Sequence, residues 1–297
     1  MTDFFERLKQ EKILVSDGAM GSLLFEKGLN AGDCPERFNI ERSEILAEIA
    51  QDYLRAGADI IQTNTFGASP LKLSDYNLDD KTEEINQKAV EIVKQVVDSK
   101  ALVSGSIGPT GKILLPYGDI DTASMKDNYK IQTSVLIESG VDLLCIETMT
   151  DLNEAIIAIQ SAREISQEIP IIATMTFDVI PQGCVTIMGN DVAEVCAKLL
   201  EAGANVIGSN CGNGTKNMIT IAKEFLSNTE LPIIIQSNAG IPTIVDDQVV
   251  YQETPEEFAD FTKILLELGV SIIGGCCGTT PDHIKAIKQA VDAIMAS

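Results

Sequence analysis

The chain has 297 residues, of which 45% are hydrophobic and 22% charged. That is enough material for one large domain with a buried core, and the wrong composition for disorder. A formal net charge of −22 repels phosphate backbones and anionic bilayers, which excludes nucleic acid and anionic membrane surfaces as partners. No apolar run approaches the ~18 residues of a membrane span. The charged start, MTDFFERLKQEK, lacks the apolar stretch of a signal peptide, so a cytoplasmic protein is expected.

In chain order, the first β-branched run is ILVSD (13–17). A long connection, GSLLFEKGLNAGDCPERFN, follows it and leads to the amphipathic pattern SEILAEIAQDYLRAG. Then come DIIQTN (59–64), the helical TEEINQKAVEIVKQVV, ALVSGS (101–106) and DLLCIET (142–148). The second half continues with NEAIIAIQSAREIS, PIIATMTF (170–177), DVAEVCAKLLEAG, NVIGSNC (205–211), LPIIIQSN (231–238), TPEEFADFTKILLELG and VSIIGGCC (270–277). The eight short runs are almost continuously apolar, as strands buried on both faces are. The segments between them carry apolar residues at three- and four-residue spacing with charges opposite. Thr254 and Glu257 predict a capping box at the start of the last-named helix.

Four helices end in a glycine that runs straight into the next strand: RAGADII, ESGVDLL, EAGANVI and ELGVSII. Glycine there takes the left-handed conformation that stops a helix. Eight β–α units in one chain predict a single (β/α)₈ TIM barrel spanning 1–297. A doubly wound sheet is the competing architecture, but DGAMG after the first strand is not the GxGxxG turn it would use. The long connection after strand one belongs, in a barrel, to the catalytic face.

Every strand turns polar at its C-terminal end: Ser16-Asp17-Gly18, Thr63-Asn64-Thr65, Ser104-Gly105-Ser106, Glu147-Thr148, Thr176, Asn210-Cys211, Ser237-Asn238 and Gly275-Cys276-Cys277. Barrel active sites are built from these ends. No lysine stands among them, which argues against Schiff-base chemistry. Of the seven cysteines, Cys145 and Cys196 sit in apolar segments and read as small buried hydrophobes. A reducing compartment makes a disulfide framework unlikely to form.

Cys211 closes strand six, and Cys276 and Cys277 close strand eight. Three thiolates suit tetrahedral zinc with one position open. Adjacent strand residues point to opposite faces, so both members of the pair reach one metal only if the backbone bends, as the glycines of GGCCG permit. Inert buried thiols, or a strained disulfide between Cys276 and Cys277, are the alternatives on spacing alone. Zinc deprotonates a coordinated thiol. A centre already carrying three thiolates has little Lewis acidity left for hydrolysis and suits alkyl transfer to sulfur.

The segments SDGAMGS, QTNTFGAS, GSIGPTGK, IETMTDLNEA, GSNCGNG, QSNAGIP and GGCCGTTPDHI resemble the homocysteine S-methyltransferase family, from about Ile13 to Ile287. GPTGKILLPYGD is most similar to the homocysteine-binding domain of cobalamin-dependent methionine synthases. The resemblance implies a (β/α)₈ barrel that methylates homocysteine to methionine, with zinc on Cys211, Cys276 and Cys277. It implies that Asp17, Gly18 and Glu147 hold the amino-acid end of homocysteine, with helix capping the alternative for the two carboxylates on spacing alone, and that Asn64, Ser106, Asn210 and Asn238 shape the pocket or bond the substrate carboxylate. The only histidine, His283, reads as a surface or helix-capping residue rather than a ligand. Complete methionine synthases continue into folate, cobalamin and activation domains, whereas this sequence stops at VDAIMAS. The methyl donor is therefore expected to come from elsewhere, and the resemblance favours methylcobalamin or another methylated corrinoid, free or on a separate protein. S-methylmethionine or another sulfonium or betaine donor is the alternative, as is a homocysteine-binding module that presents the thiol to a partner.

Overall fold

The structure, a computed structural model, describes residues 4–245 and 248–296. Its centre is one parallel sheet of eight strands: β1 (Leu14–Val15), β2 (Ile60–Gln62), β3 (Leu102–Ile107), β4 (Leu143–Met149), β5 (Ile171–Met175), β6 (Val206–Asn210), β7 (Ile233–Ser237) and β8 (Ile272–Gly275). Each strand pairs with its sequence neighbours, and β1 also pairs with β8. A parallel bridge between Ser16 and Ile60 joins β1 to β2 and closes the ring. The chain is a (β/α)₈ barrel, as its strand and helix pattern predicts. No helix of the described residues is long and apolar enough to cross a membrane.

Period-two alternation sorts the barrel interior into layers. At the bottom, Leu14, Ile60, Leu102, Leu143, Ile172, Val206, Ile234 and Ile272 form one buried cluster, with Cys145 above and Phe4 below. Phe4 opens an N-terminal helix (Phe4–Glu11) that plugs the barrel floor. Each such side chain contributes roughly 2 kcal/mol on burial. Two residues further along each strand the interior becomes small and polar, with Ser16, Ser104, Thr174 and Gln236 all buried. Another step of two reaches Ser106, Glu147 and Asn210, and from Ile272 the same stepping leads through Gly274 to Cys276. The alternation that fills the core thus also aims the functional side chains.

The larger apolar cluster lies between the strands and the surrounding helices and includes Cys196. Gly57, Gly140, Gly203 and Gly269 terminate their helices with φ between 87° and 108°, and the Thr254–Glu257 capping box is present. Two antiparallel hairpins, Asp178–Ile180 with Gly183–Val185 and Thr243–Val245 with Gln248–Val250, extend the loops after β5 and β7. Strand periodicity gives no warning of them, because they lie beyond strand ends and cover part of the barrel rim instead of its core. The long first connection folds into a helix (Gly21–Glu26), a turn of 3₁₀ helix (Pro35–Arg37) and a short helix (Phe38–Glu41).

Candidate active site and metal centre

A cavity of about 310 Å³ opens among the C-terminal strand ends. Asp17, Gly18, Asn64, Ser106, Glu147, Cys211, Cys276 and Cys277 all line it. Asn210 and Asn238 stand behind the wall, fully buried. The sequence patterns miss Glu36, Gln62 and Phe66, which also line the cavity, and find Thr148 only as a polar strand end. Glu36 and Pro35 come from the long first connection, whose length was the available signal.

The three thiols converge. Cys211, Cys276 and Cys277 place their sulfurs within 4.8 Å of one another, and Cys211 Sγ lies 3.8 Å from Cys277 Sγ. Cys276 follows the last strand residue, with its N–H on Ser237 O at 2.7 Å. The chain then turns, with Gly278 at φ +79°, and the Cys277 sulfur joins that of Cys276 in the cluster. Cys211 reaches the cluster differently. It adopts φ +59°, a left-handed conformation that costs a non-glycine residue about 1 kcal/mol or more. Hydrogen bonds from its own N–H to Gln236 O (3.2 Å) and from Asn213 N to its carbonyl (2.8 Å) hold that conformation.

The Cys276 and Cys277 thiols pull the Cys211 thiol well below its ordinary range by hydrogen bonding to it, and their own thiols are pushed up in return. The Asn238 side chain also helps to lower the Cys211 thiol, and its buried Oδ1 has no hydrogen-bond partner. Three soft donors within a few ångströms, next to an orphaned oxygen, fit a tetrahedral zinc ion of the three-thiolate kind.

The carboxylates line the same cavity, and Asn210 Nδ2 bridges the two groups, 3.2 Å from Glu147 Oε2 and 3.9 Å from Cys276 Sγ. Asp17 is fully buried and accepts from Gln62 N at 2.8 Å. Burial pushes its pKa up to about 8 despite that bond, and the nearby Glu147 pushes in the same direction. Burial also raises Glu147 to about 7, while the Ser106 hydroxyl, donating to Oε1, works against the rise. Glu36 is raised by burial as well; it accepts from Gly67 N at 2.7 Å and from the Cys34 thiol. None of the residues lining the cavity is Lys, Arg or His.

Several polar residues hold the wall in shape. Asn210 uses its whole amide: Nδ2 donates to Glu147 Oε2 (3.2 Å) and Thr148 Oγ1 (2.8 Å), and Oδ1 accepts from Thr148 N (2.9 Å) and Thr174 Oγ1 (2.8 Å). Thr148 has φ +57° at a break in the β4–β5 register, so Asn210 secures the backbone just after Glu147. Asn64 donates from Nδ2 to Pro35 O and Asn39 Oδ1, fastening the first connection against the barrel. Gly18 is glycine for want of space, since a Cβ would sit 2.6 Å from Thr279 Oγ1 and 2.9 Å from Tyr53 Oη. His283 is buried and caps the last helix. Its Nδ1 accepts from Thr280 N, so Nε2 carries the proton and donates to Glu253 O. This agrees with the capping role expected for it, at a buried position.

Residues 14–291 match the family model for homocysteine S-methyltransferase. The chain belongs to the homocysteine S-methyltransferase family. Among curated proteins it is 31% identical, over 307 aligned residues, to the methionine synthases of Mycobacterium leprae and Mycobacterium tuberculosis. Those alignments take in 98% of this chain and 25% of the relatives, so this family member spans about a quarter of their length. Among solved structures, the metallated form of the homocysteine methyltransferase MmuM from Escherichia coli superposes with a TM-score of 0.79 at 24% identity, covering 95% of this chain and 97% of that one. A methyltransferase from Methanosarcina mazei superposes at 0.59 with 12% identity, over 95% and 94% of the two chains. At these identities the structural likenesses establish the shared barrel fold.

Proposed function

We propose that this chain binds homocysteine and transfers a methyl group to its sulfur, giving methionine, with zinc held by Cys211, Cys276 and Cys277. The observation that carries the proposal is one cavity that holds three converged thiols and the buried carboxyls of Asp17 and Glu147, with no cationic side chain among its lining residues. An amino-acid thiol matches both groups. Its ammonium group supplies the positive charge that Asp17 and Glu147 lack, and its sulfur reaches the metal. Zinc, when bound, would lower the pKa of the substrate thiol so that it stays a nucleophilic thiolate at neutral pH.

The chain's own residues do the rest. Asp17 and Glu147 orient the amino end, Ser106 and Asn210 hold Glu147, and Gly18 lets the backbone approach the substrate. Phe66, Met20 and Pro35 exclude water from the side of the cavity nearest the first connection. A methylated corrinoid, such as methylcobalamin, is the proposed donor, presented by a separate protein or protein segment. Supporting a macromolecular donor, the loops around the mouth expose Ile113, Leu115, Tyr117, Ile187, Ile241 and Ile244. An apolar rim of this sort suits a protein surface better than a small free donor.

The test is to supply homocysteine with methylcobalamin, S-methylmethionine or betaine in turn, and to measure methionine and zinc content together. Methionine from methylcobalamin, with about one zinc per chain that is lost in Cys211→Ala, is the expected result. Turnover with S-methylmethionine or betaine alone would replace the corrinoid donor. Homocysteine binding with no turnover from any donor would leave a binding module. Full zinc retention in both Cys211→Ala and Cys277→Ser would remove the metal assignment.

A further inference from the structure

Tyr251 stands beside the thiols on a segment outside the motifs that identify the family. Its ring packs directly on the turn after Cys277: a Cβ on Gly278 would lie 2.1 Å from Tyr251 Cγ. Burial, and then the charge of the nearby Cys277 thiol, push its hydroxyl up to about 12, which places the hydroxyl close to that ligand. The ring is half-buried, between the cluster and solvent.

The segment carrying Tyr251 is braced from three loops. Glu253 N donates to Ala239 O at 3.0 Å, and Ala239 N donates in turn to Cys277 O at 3.0 Å. The Glu253 carboxylate accepts from Thr215 N at 3.0 Å, at the start of the helix after β6. His283 Nε2 donates to Glu253 O at 2.9 Å, its ring fixed edge-on against Phe258 at 5.0 Å between centroids. These bonds converge on one short stretch of backbone, and the side chain that stretch delivers to the cluster is Tyr251.

We propose that Tyr251 is a positioning residue of the metal centre, its O–H donating to the Cys277 sulfur and its ring walling off that ligand, with Glu253 and His283 holding it in place. The proposal rests on the zinc reading above. A centre of three thiolates and one divalent cation carries net negative charge, so a donor on one sulfur takes up part of that charge and fixes the rotamer of the ligand. Partners of this kind typically change metal affinity or activity 10- to 100-fold when removed.

The experiment compares the full chain with Tyr251→Phe, and with Tyr117→Phe on the exposed rim as a control. Zinc affinity is measured by competition with a chromophoric chelator, and the cobalt(II)-substituted proteins are read by their thiolate-to-cobalt charge-transfer absorption. Tyr251→Phe should keep the wild-type circular dichroism and one metal per chain, bind zinc about tenfold more weakly, and move the charge-transfer band to longer wavelength. Tyr117→Phe should match wild type in every readout. His283→Phe, which keeps the ring and loses the N–H to Glu253, should shift the band in the same direction by less. Unchanged affinity and an unchanged band in Tyr251→Phe would overturn the proposal. A wild-type chain that binds no zinc would overturn the metal reading itself, a failure visible before any variant is made.

Discussion

Replacing Asp17 with Asn should stabilise the substrate-free protein increasingly as pH rises. The Asp17 carboxyl is fully buried, and its pKa climbs from 3.8 to about 8 mainly through loss of solvation, with Glu147 adding repulsion. A carboxyl whose folded value exceeds its unfolded value holds its proton more tightly in the folded state. Stability is then greatest below about pH 4 and falls as pH rises towards 8. The whole shift corresponds to about 6 kcal/mol at 1.36 kcal/mol per pKa unit. The cavity admits water and its dipoles relax around the charge, which reduces the expected loss to about 2–3 kcal/mol. Asn is neutral throughout and can still accept from Gln62 N, so it escapes this penalty while keeping the bond. Removing the Asp17 charge also eases the ionisation of Glu147, which acts in the same direction. Urea unfolding of both proteins under reductant at pH 4, 6 and 8 should show near-equal stability at pH 4 and an Asn advantage of about 2 kcal/mol at pH 8. Homocysteine binding, measured by calorimetry, should weaken in the same variant because the ammonium loses its partner. Parallel stability curves across that range would refute the reasoning.

The other expectations follow from single contacts. Asn210→Ala removes four hydrogen bonds and leaves Glu147, Thr148 and Thr174 with lost partners; a loss of about 2–4 kcal/mol in denaturant unfolding is expected. Metal-free protein exposed to diamide should form a Cys211–Cys277 disulfide, since those sulfurs stand 3.8 Å apart, and peptide mapping should find it suppressed by prior zinc loading. A Cys276–Cys277 linkage as the main product would contradict the geometry. Gly278→Ala places a methyl group against the Tyr251 ring at a left-handed φ; weaker zinc binding together with a lower melting temperature is the expected pair of effects.

The barrel was legible because its signal repeats: eight apolar runs, five of them followed by a clear amphipathic segment, with four of the intervening helices closed by glycine. Two barrel helices escaped, Thr122–Ser139, marked only by its closing glycine, and Thr215–Asn228; the chemistry of the first says why. Its inward face carries Asn128, Gln132 and Thr133 as well as Met125, Tyr129 and Leu136. Gln132 donates to Thr65 O at 2.7 Å and Asn128 accepts from Leu71 N at 2.7 Å, so that face holds the loop after β2 as well as filling core. An amphipathic pattern fades when part of the buried face has to hydrogen-bond a loop.

The same distinction divides the candidate site. Residues placed in the mouth by strand alternation, Ser106, Glu147, Asn210 and Cys276, could be read from position alone, because the period of two that buries Leu102, Leu143, Val206 and Ile272 also fixes which way they point. Cys211 and Cys277 needed a further step: each leaves its strand through a left-handed backbone, φ +59° at Cys211 itself and +79° at Gly278 beside Cys277. No periodicity reports that turn, and only the glycines of GGCCG hinted at it. Glu36 and Tyr251 lay further out of reach, since each is delivered by an irregular segment folded back over the mouth. Their positions depend on bonds to loops distant in sequence, Glu36 through Gly67 and Tyr251 through the contacts of Glu253 with Ala239, Thr215 and His283. The inner half of the site is therefore set by the barrel, and the outer half by loop-to-loop hydrogen bonds. Substitutions in the outer half should alter metal and substrate affinity while leaving the fold intact, whereas those in the inner half should disturb both together.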